Sequence, residues 1–151
     1  MKDPFERLKN LCQEYPVQAL YVFGSREQEM IALQQGTPLS ESASDVDVAL
    51  LTSKPFSIHE KVDFALALEE ILDVPRVDLV ILNDADPFLA ANAIRGYRLY
   101  ARDSYLADEY ELFVLRRAGD LAEFERQRMA LILQEASFNL PRPSEVRGIF
   151  P

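Results

Sequence analysis

Three short aliphatic runs, at residues 18–23, 46–52 and 77–82, most constrain what this chain can become. Each has the length and the β-branched or aromatic content of a strand. The segments between them have helical periodicity rather than alternation. Residues 4–14 place Phe5, Leu8, Leu11 and Cys12 at helical spacing, and Pro16 ends the run. The spacing predicts a short helix over 26–35 and a loop over 36–44. Ser57 with Glu60 three residues on is a capping-box signature, opening a helix over 58–72. Its expected apolar stripe is Ile58, Val62, Ala65, Leu66, Leu68 and Leu72. Asp86-Pro87 opens another helix, with Pro at the first helical position, and Gly96 closes it. Residues 97–101 read as a short edge strand. Residues 104–135 are helical in composition, with Leu106, Tyr110, Phe113, Val114, Leu121, Phe124 and Leu131 recurring, and Gly119 is expected to divide them. The fold class is α+β: a small mixed sheet of three to four strands, helices on one face, and a long C-terminal helical segment. The expected domain spans 1–136, with a proline-containing tail at 137–151.

Composition narrows the function classes. With 16 basic and 25 acidic side chains the net charge is −9, and such a surface repels the phosphates of duplex nucleic acid. No apolar run is long enough to span a membrane. Met1-Lys2-Asp3-Pro4 lacks a signal-peptide core, so the expected location is cytoplasmic. One cysteine excludes an internal disulfide and a multi-cysteine zinc site. The one histidine, His59, falls on a predicted helix surface, which argues against histidine-based metal binding or a Ser-His triad.

The chemistry sits in acids placed on strands. Asp45 and Asp47 straddle Val46 at the start of the second strand, so both point to the same face. Asp78 lies inside the apolar third strand, where an acid is costly unless paired, hydrogen-bonded or bound to a cation. If the second and third strands are neighbours, the three carboxylates converge, and such a set suits a hard divalent cation such as Mg²⁺. Gly24-Ser25 ends the first strand at a turn whose N–H groups can seat phosphate. A phosphate seat beside an acid cluster is what phosphoryl or nucleotidyl transfer requires.

Phe23-Gly24-Ser25, then Ser44-Asp45-Val46-Asp47-Val48, then Val77-Asp78-Leu79-Val80 resembles the minimal nucleotidyltransferases of the DNA polymerase beta superfamily. The segment Asn92 to Tyr100 is similar to the stretch after the third acid in that family. The resemblance implies that Gly24 and Ser25 hold the triphosphate; the neighbouring Arg26 and Ser44 complete the expected nucleotide-binding set. It implies that Asp45, Asp47 and Asp78 are the metal ligands, with Asp78 able to act on the incoming hydroxyl. It further implies transfer of a nucleoside monophosphate, AMP from ATP with Mg²⁺, to an acceptor hydroxyl. Many small members are antitoxins paired with a HEPN-type toxin, which they adenylylate on a tyrosine. The partners expected are therefore a nucleoside triphosphate and a HEPN-type protein; the sequence leaves open whether a further copy of the chain joins them as a homo-oligomer.

Two features depart from the family pattern. After Ser25 comes Arg26-Glu27-Gln28-Glu29-Met30, with no glycine until Gly36, where the family has a small residue, a basic residue and a second glycine. In addition, 19 residues separate Ser25 from Asp45, a longer gap than the family's. Arg26 stands as the substitute for the missing basic residue. The alternative reading is a degenerate nucleotidyltransferase fold that acts by contact alone, as an antitoxin or binding subunit. Transfer to a small molecule such as an aminoglycoside is the weaker third reading, because the chain is short for a separate acceptor domain. The apolar positions of the C-terminal helical stretch either cover the sheet or meet another chain.

Overall fold

The structure, a computed structural model, describes residues 3–37 and 45–139, with the side chains of 137–139 left aside. The chain divides into two compact units, Met1–Leu115 and Arg116–Pro151. The element order is α1 (Pro4–Glu14), β1 (Val17–Phe23), a 3-10 turn (Gly24–Arg26), α2 (Glu27–Gln34), β2 (Val46–Thr52), α3 (Ile58–Leu72), β3 (Val77–Ile81), a second 3-10 turn (Leu82–Asp84), α4 (Pro87–Ile94), β4 (Tyr97–Ala101) and α5 (Ser104–Asn139). Of the loop expected over 36–44, residues 38–44 lie outside the described residues. Among the described residues, no helix is long and apolar enough to cross a membrane.

The four strands form one mixed sheet in the order β3-β2-β1-β4. β1 runs antiparallel to β2 and β4, and β2 runs parallel to β3. A parallel β2–β3 pair needs a crossover, and α3 supplies it. Pairing Val46 with Val77 and Val48 with Leu79 brings the apolar residues of both strands onto one face. There they pack with Leu20 and Val22 of β1, Leu8, Leu11 and Cys12 of α1, Met30 of α2, and Phe64, Leu68 and Leu72 of α3. Asp47 and Asp78 fall on the opposite face, because side chains alternate along a strand.

Local sequence explains most boundaries. Asp3 caps α1 by accepting from the Phe5 N–H, and Asp86 caps α4 by accepting from the Phe88 and Leu89 N–H groups. The capping box is present: the Glu60 N–H donates to Ser57 Oγ, and the Ser57 N–H donates to the Glu60 carboxylate.

Two helix expectations need correction. The buried line of α3 is Phe64, Leu68 and Leu72, whereas Ile58, Val62 and Leu66 are exposed. The helix is apolar on two sides, and Phe64 wins the core position by meeting Tyr15 and Phe56 edge to face. Gly119 does not divide α5, which is continuous from Ser104 to Asn139. One glycine costs about 1 kcal/mol in a helix, which long flanking runs of good helix formers outweigh.

Candidate active site

The site expectation turns on strand register. β1 pairs with β2 so that Phe23 lies opposite Asp47, and β2 pairs with β3 so that Asp47 lies opposite Asp78. Residues directly across a sheet share a face. The two acids therefore stand side by side on adjacent strands, about 4.8 Å apart along the hydrogen-bonding direction. Asp45 immediately precedes β2 and is partly buried. Its carboxylate pairs with Arg76 Nε at 3.6 Å.

Gly24 completes the arrangement. Its φ is +80°, and a Cβ at this position would stand 2.2 Å from Asp47 Oδ2. The turn after β1 thus presses bare backbone against the Asp47 carboxylate, and only glycine fits both the left-handed conformation and the space. Gly96 supports the turn from the other side. A Cβ there would stand 2.2 Å from the Val22 carbonyl oxygen and 2.8 Å from Phe23 Cβ, so α4 and β4 close tightly over the end of β1. Sequence reading placed Gly96 as a helix stop within the family-like segment Asn92 to Tyr100; its packing role was invisible without the β1–β4 register.

Asp47 is electrostatically uncomfortable. Partial burial first, then the Asp78 and Asp45 carboxylates, hold its pKa above the ordinary aspartate range. Carboxylates whose charges bear on Asp47 in this way are oxygen donors chemically suited to a divalent cation, which relieves the repulsion. Among the described residues, however, no group of three or more His, Cys, Asp or Glu is already gathered around one point. The donor chemistry fits a hard cation; the Asp45 arm, held to Arg76, would have to turn inward to complete a triad.

Ser25 lies in the 3-10 turn beside Gly24, exposed to solvent. Arg26 points into the fold, only 2% exposed, with Nε donating to the Glu29 carboxylate at 2.8 Å. Glu27 and Glu29 occupy the first turn of α2. Ser44 lies outside the described residues. The structure therefore brings Gly24, Ser25, Asp47 and Asp78 to one end of the sheet and directs Arg26 inward. His59 is exposed on α3.

A family model of the polymerase beta nucleotidyltransferases matches residues 6–105. The chain belongs to that family. The matched span contains β1 to β4 and every acid just described. No curated protein sequence matches the chain. Among solved structures, a toxin–antitoxin MntA–HpeT mutant is 22% identical with TM-score 0.60, covering 86% of this chain and 96% of that one. A toxin–antitoxin structure with AMP-PNP gives the same figures. A tri-AMPylated HEPN toxin from Shewanella oneidensis in complex with its MNT antitoxin is 21% identical with TM-score 0.56, covering 87% and 94%. At these identities the likeness establishes a shared fold.

Proposed function

We propose that this chain is a Mg²⁺-dependent nucleotidyltransferase that moves AMP from ATP to a hydroxyl on a HEPN-type protein partner. The observation that carries the reading is the Phe23–Asp47–Asp78 register, with Gly24 backbone against the Asp47 carboxylate. Paired, mutually repelling acids beside a glycine turn are costly to the fold and useful for charged-phosphate chemistry. Two of the structural likenesses, one with AMP-PNP and one of an AMPylated HEPN toxin with its MNT antitoxin, support the nucleotide and the partner class.

In this reading Asp45, Asp47 and Asp78 hold the cation. Bound Mg²⁺ would neutralise charge on the triphosphate and polarise the α-phosphorus. Gly24 and Ser25 present backbone N–H groups and a hydroxyl to the phosphate oxygens. The Asp78 carboxylate accepts the proton of the acceptor hydroxyl as its oxygen bonds to the α-phosphorus. The bond to the bridging oxygen breaks, and pyrophosphate leaves. Asp47 and Asp78 lie on paired strands, so the sheet itself fixes their backbone positions, and Asp45 stands one residue before β2.

The test is AMP transfer from ATP to a co-purified or co-expressed HEPN-type partner, read by mass spectrometry. Asp47→Asn should reduce transfer by about 10²–10³-fold or more while the chain stays folded. Undiminished transfer by Asp47→Asn sinks the assignment.

A second reading is favoured by one observation: Arg26 is turned inward onto Glu29, beside two acids in the first turn of α2. In that reading the chain neutralises a partner by contact. Stoichiometric neutralisation by a chain lacking both Asp45 and Asp47 carboxylates is its signature.

A further inference from the structure

The distal unit of α5, taken by itself, carries more exposed apolar surface than a lone helix keeps in water. Phe124, Met129, Leu131, Ile132 and Leu133 are between 44% and 63% exposed. Such a surface marks an interface. The chain's acidity does not reach this segment. Arg116, Arg117, Arg126 and Arg128 balance Asp120, Glu123, Glu125 and Glu135, whereas the whole chain carries −9. Two such segments can therefore approach without the net repulsion the rest of the chain would impose.

One stripe of this helix has an order that singles out its partner. Arg117, Leu121, Phe124, Arg128, Leu131 and Glu135 succeed one another at alternating spacings of four and three. That spacing keeps all six within an arc of about 80°. Read in reverse, the stripe complements itself about Arg126. In an antiparallel pair Arg117 meets Glu135, Leu121 meets Leu131, and Phe124 meets Arg128, each contact occurring twice. These are an ion pair, an aliphatic contact and a guanidinium on an aromatic face. In a parallel pair Arg117, Arg128 and Glu135 would each meet their own kind, which is unfavourable.

The helix leaves the required groups available. Glu123 pairs with Arg126 and Glu125 with Arg128 along the helix, but Arg117 and Glu135 make no ion pair among the described residues. Arg128 meets Glu125 through the edge of its guanidinium, at 3.1 Å. A guanidinium held by its edge can still stack by its face.

We infer that the stripe 117–135 of α5 is a self-association surface through which two copies of this chain pair antiparallel. Phe124 and Leu131 lose their exposure, and the two Arg117–Glu135 pairs set direction and register. Met129, Ile132 and Leu133 lie outside this arc and take no part.

The test uses the full chain in sedimentation equilibrium. A species of twice the chain mass is expected at tens of micromolar, and Leu131→Asp should return it to monomer with unchanged circular dichroism. Arg117→Glu and Glu135→Arg should each weaken pairing by about tenfold, since each places two like-charge contacts in the dimer. The double swap should restore it to within a few-fold. Register is read by disulfide trapping, for which Cys12 is silent because it is buried. A mixture of Leu121→Cys and Leu131→Cys chains should cross-link, and neither chain alone should. A monomer at 100 micromolar (about the upper limit of a useful weak association) overturns the inference. So does self-linking of Leu121→Cys chains, which indicates a parallel pair, or failure of the double swap to rescue.

Discussion

The two ends of the sheet treat their polar groups in opposite ways. At the end where β1 finishes and β2 and β3 begin, like charges stand side by side and a glycine with φ of +80° presses on a carboxylate. At the other end the polar groups are satisfied. Asn83, just past β3, accepts from the Thr52 N–H at 3.0 Å and donates to the Thr52 carbonyl at 2.8 Å, tying β3 to β2. Arg102, just past β4, donates to the carbonyls of Val17, Cys12 and Tyr15, tying β4 to the α1–β1 turn. One end secures the strands, and the other accepts charge repulsion and a backbone approach that only glycine permits. A fold needs the first to tolerate the second.

The securing end should show the largest stability losses. Arg102→Ala removes a charged donor from three carbonyls, two at the end of α1 and one at the start of β1. Hydrogen bonds to charged groups contribute about 1.5–3 kcal/mol. The expected loss is about 3 kcal/mol, read as a shifted urea midpoint with unchanged slope. Arg102→Lys should recover only part of it, because an ammonium cannot reach three acceptors with the fork of a guanidinium. A loss below about 1 kcal/mol would show that the tether is not what holds this end.

How much of this contrast was legible beforehand differs between the two ends. The strands, the Ser57 capping box, the Asp86-Pro87 start and the acids' alternation are local signals, and the structure carries each of those elements at or within a residue or two of its expected place. The convergence of Asp47 with Asp78 depended on β2 and β3 being neighbours, a long-range fact that local pattern leaves conditional. The tethers were not legible at all. Arg102 and Asn83 act on residues far away in sequence, and an arginine after a strand looks like any surface charge. Arg26 shows the same limit: its place next to Ser25 in the sequence said nothing of its burial or of its ion pair with Glu29 three residues on. On α3 the core kept Ala65, Leu68 and Leu72 of the expected stripe and took Phe64 in place of Ile58, Val62 and Leu66, because two helix faces were apolar and only tertiary contact chooses between them.

Gly24→Ala probes the strained end directly. The new Cβ meets Asp47 Oδ2, and the backbone must hold φ near +80° with a side chain. The left-handed conformation alone costs about 1–2 kcal/mol. The expected total is about 2 kcal/mol, and Asp47 must move, so any transfer activity should fall with it. The comparison sharpens in a double-mutant cycle. In an Asp47→Ala background the oxygen is gone, and Gly24→Ala should cost measurably less, leaving a coupling of about 0.5–1 kcal/mol. Additive effects would mean that the backbone conformation alone makes Gly24 necessary.

The smallest effect is the most diagnostic, because its sign is unusual. Asp47→Asn should stabilise the ligand-free chain by about 0.5 kcal/mol, since like charges directly across a sheet are unfavourable by that order. The melting temperature should rise by about 1–2 °C. The pH dependence comes from the raised pKa of Asp47. The folded chain holds the Asp47 proton more tightly than the unfolded chain does. Below the unfolded aspartate pKa both states are protonated, and that stabilising contribution is fully present. As pH rises through the folded pKa the carboxylate ionises beside Asp78 and Asp45, and the contribution is lost. The advantage of Asp47→Asn should therefore be near zero around pH 3 and reach its full size by neutral pH. Mg²⁺ with a nucleoside triphosphate should reverse the order at neutral pH, because a ligand that binds only the native chain raises its stability, and only the chain with the carboxylate retains the full donor set. If Asp47→Asn is less stable than the native chain at pH 7 without ligand, Asp47 belongs to the securing class rather than the strained one.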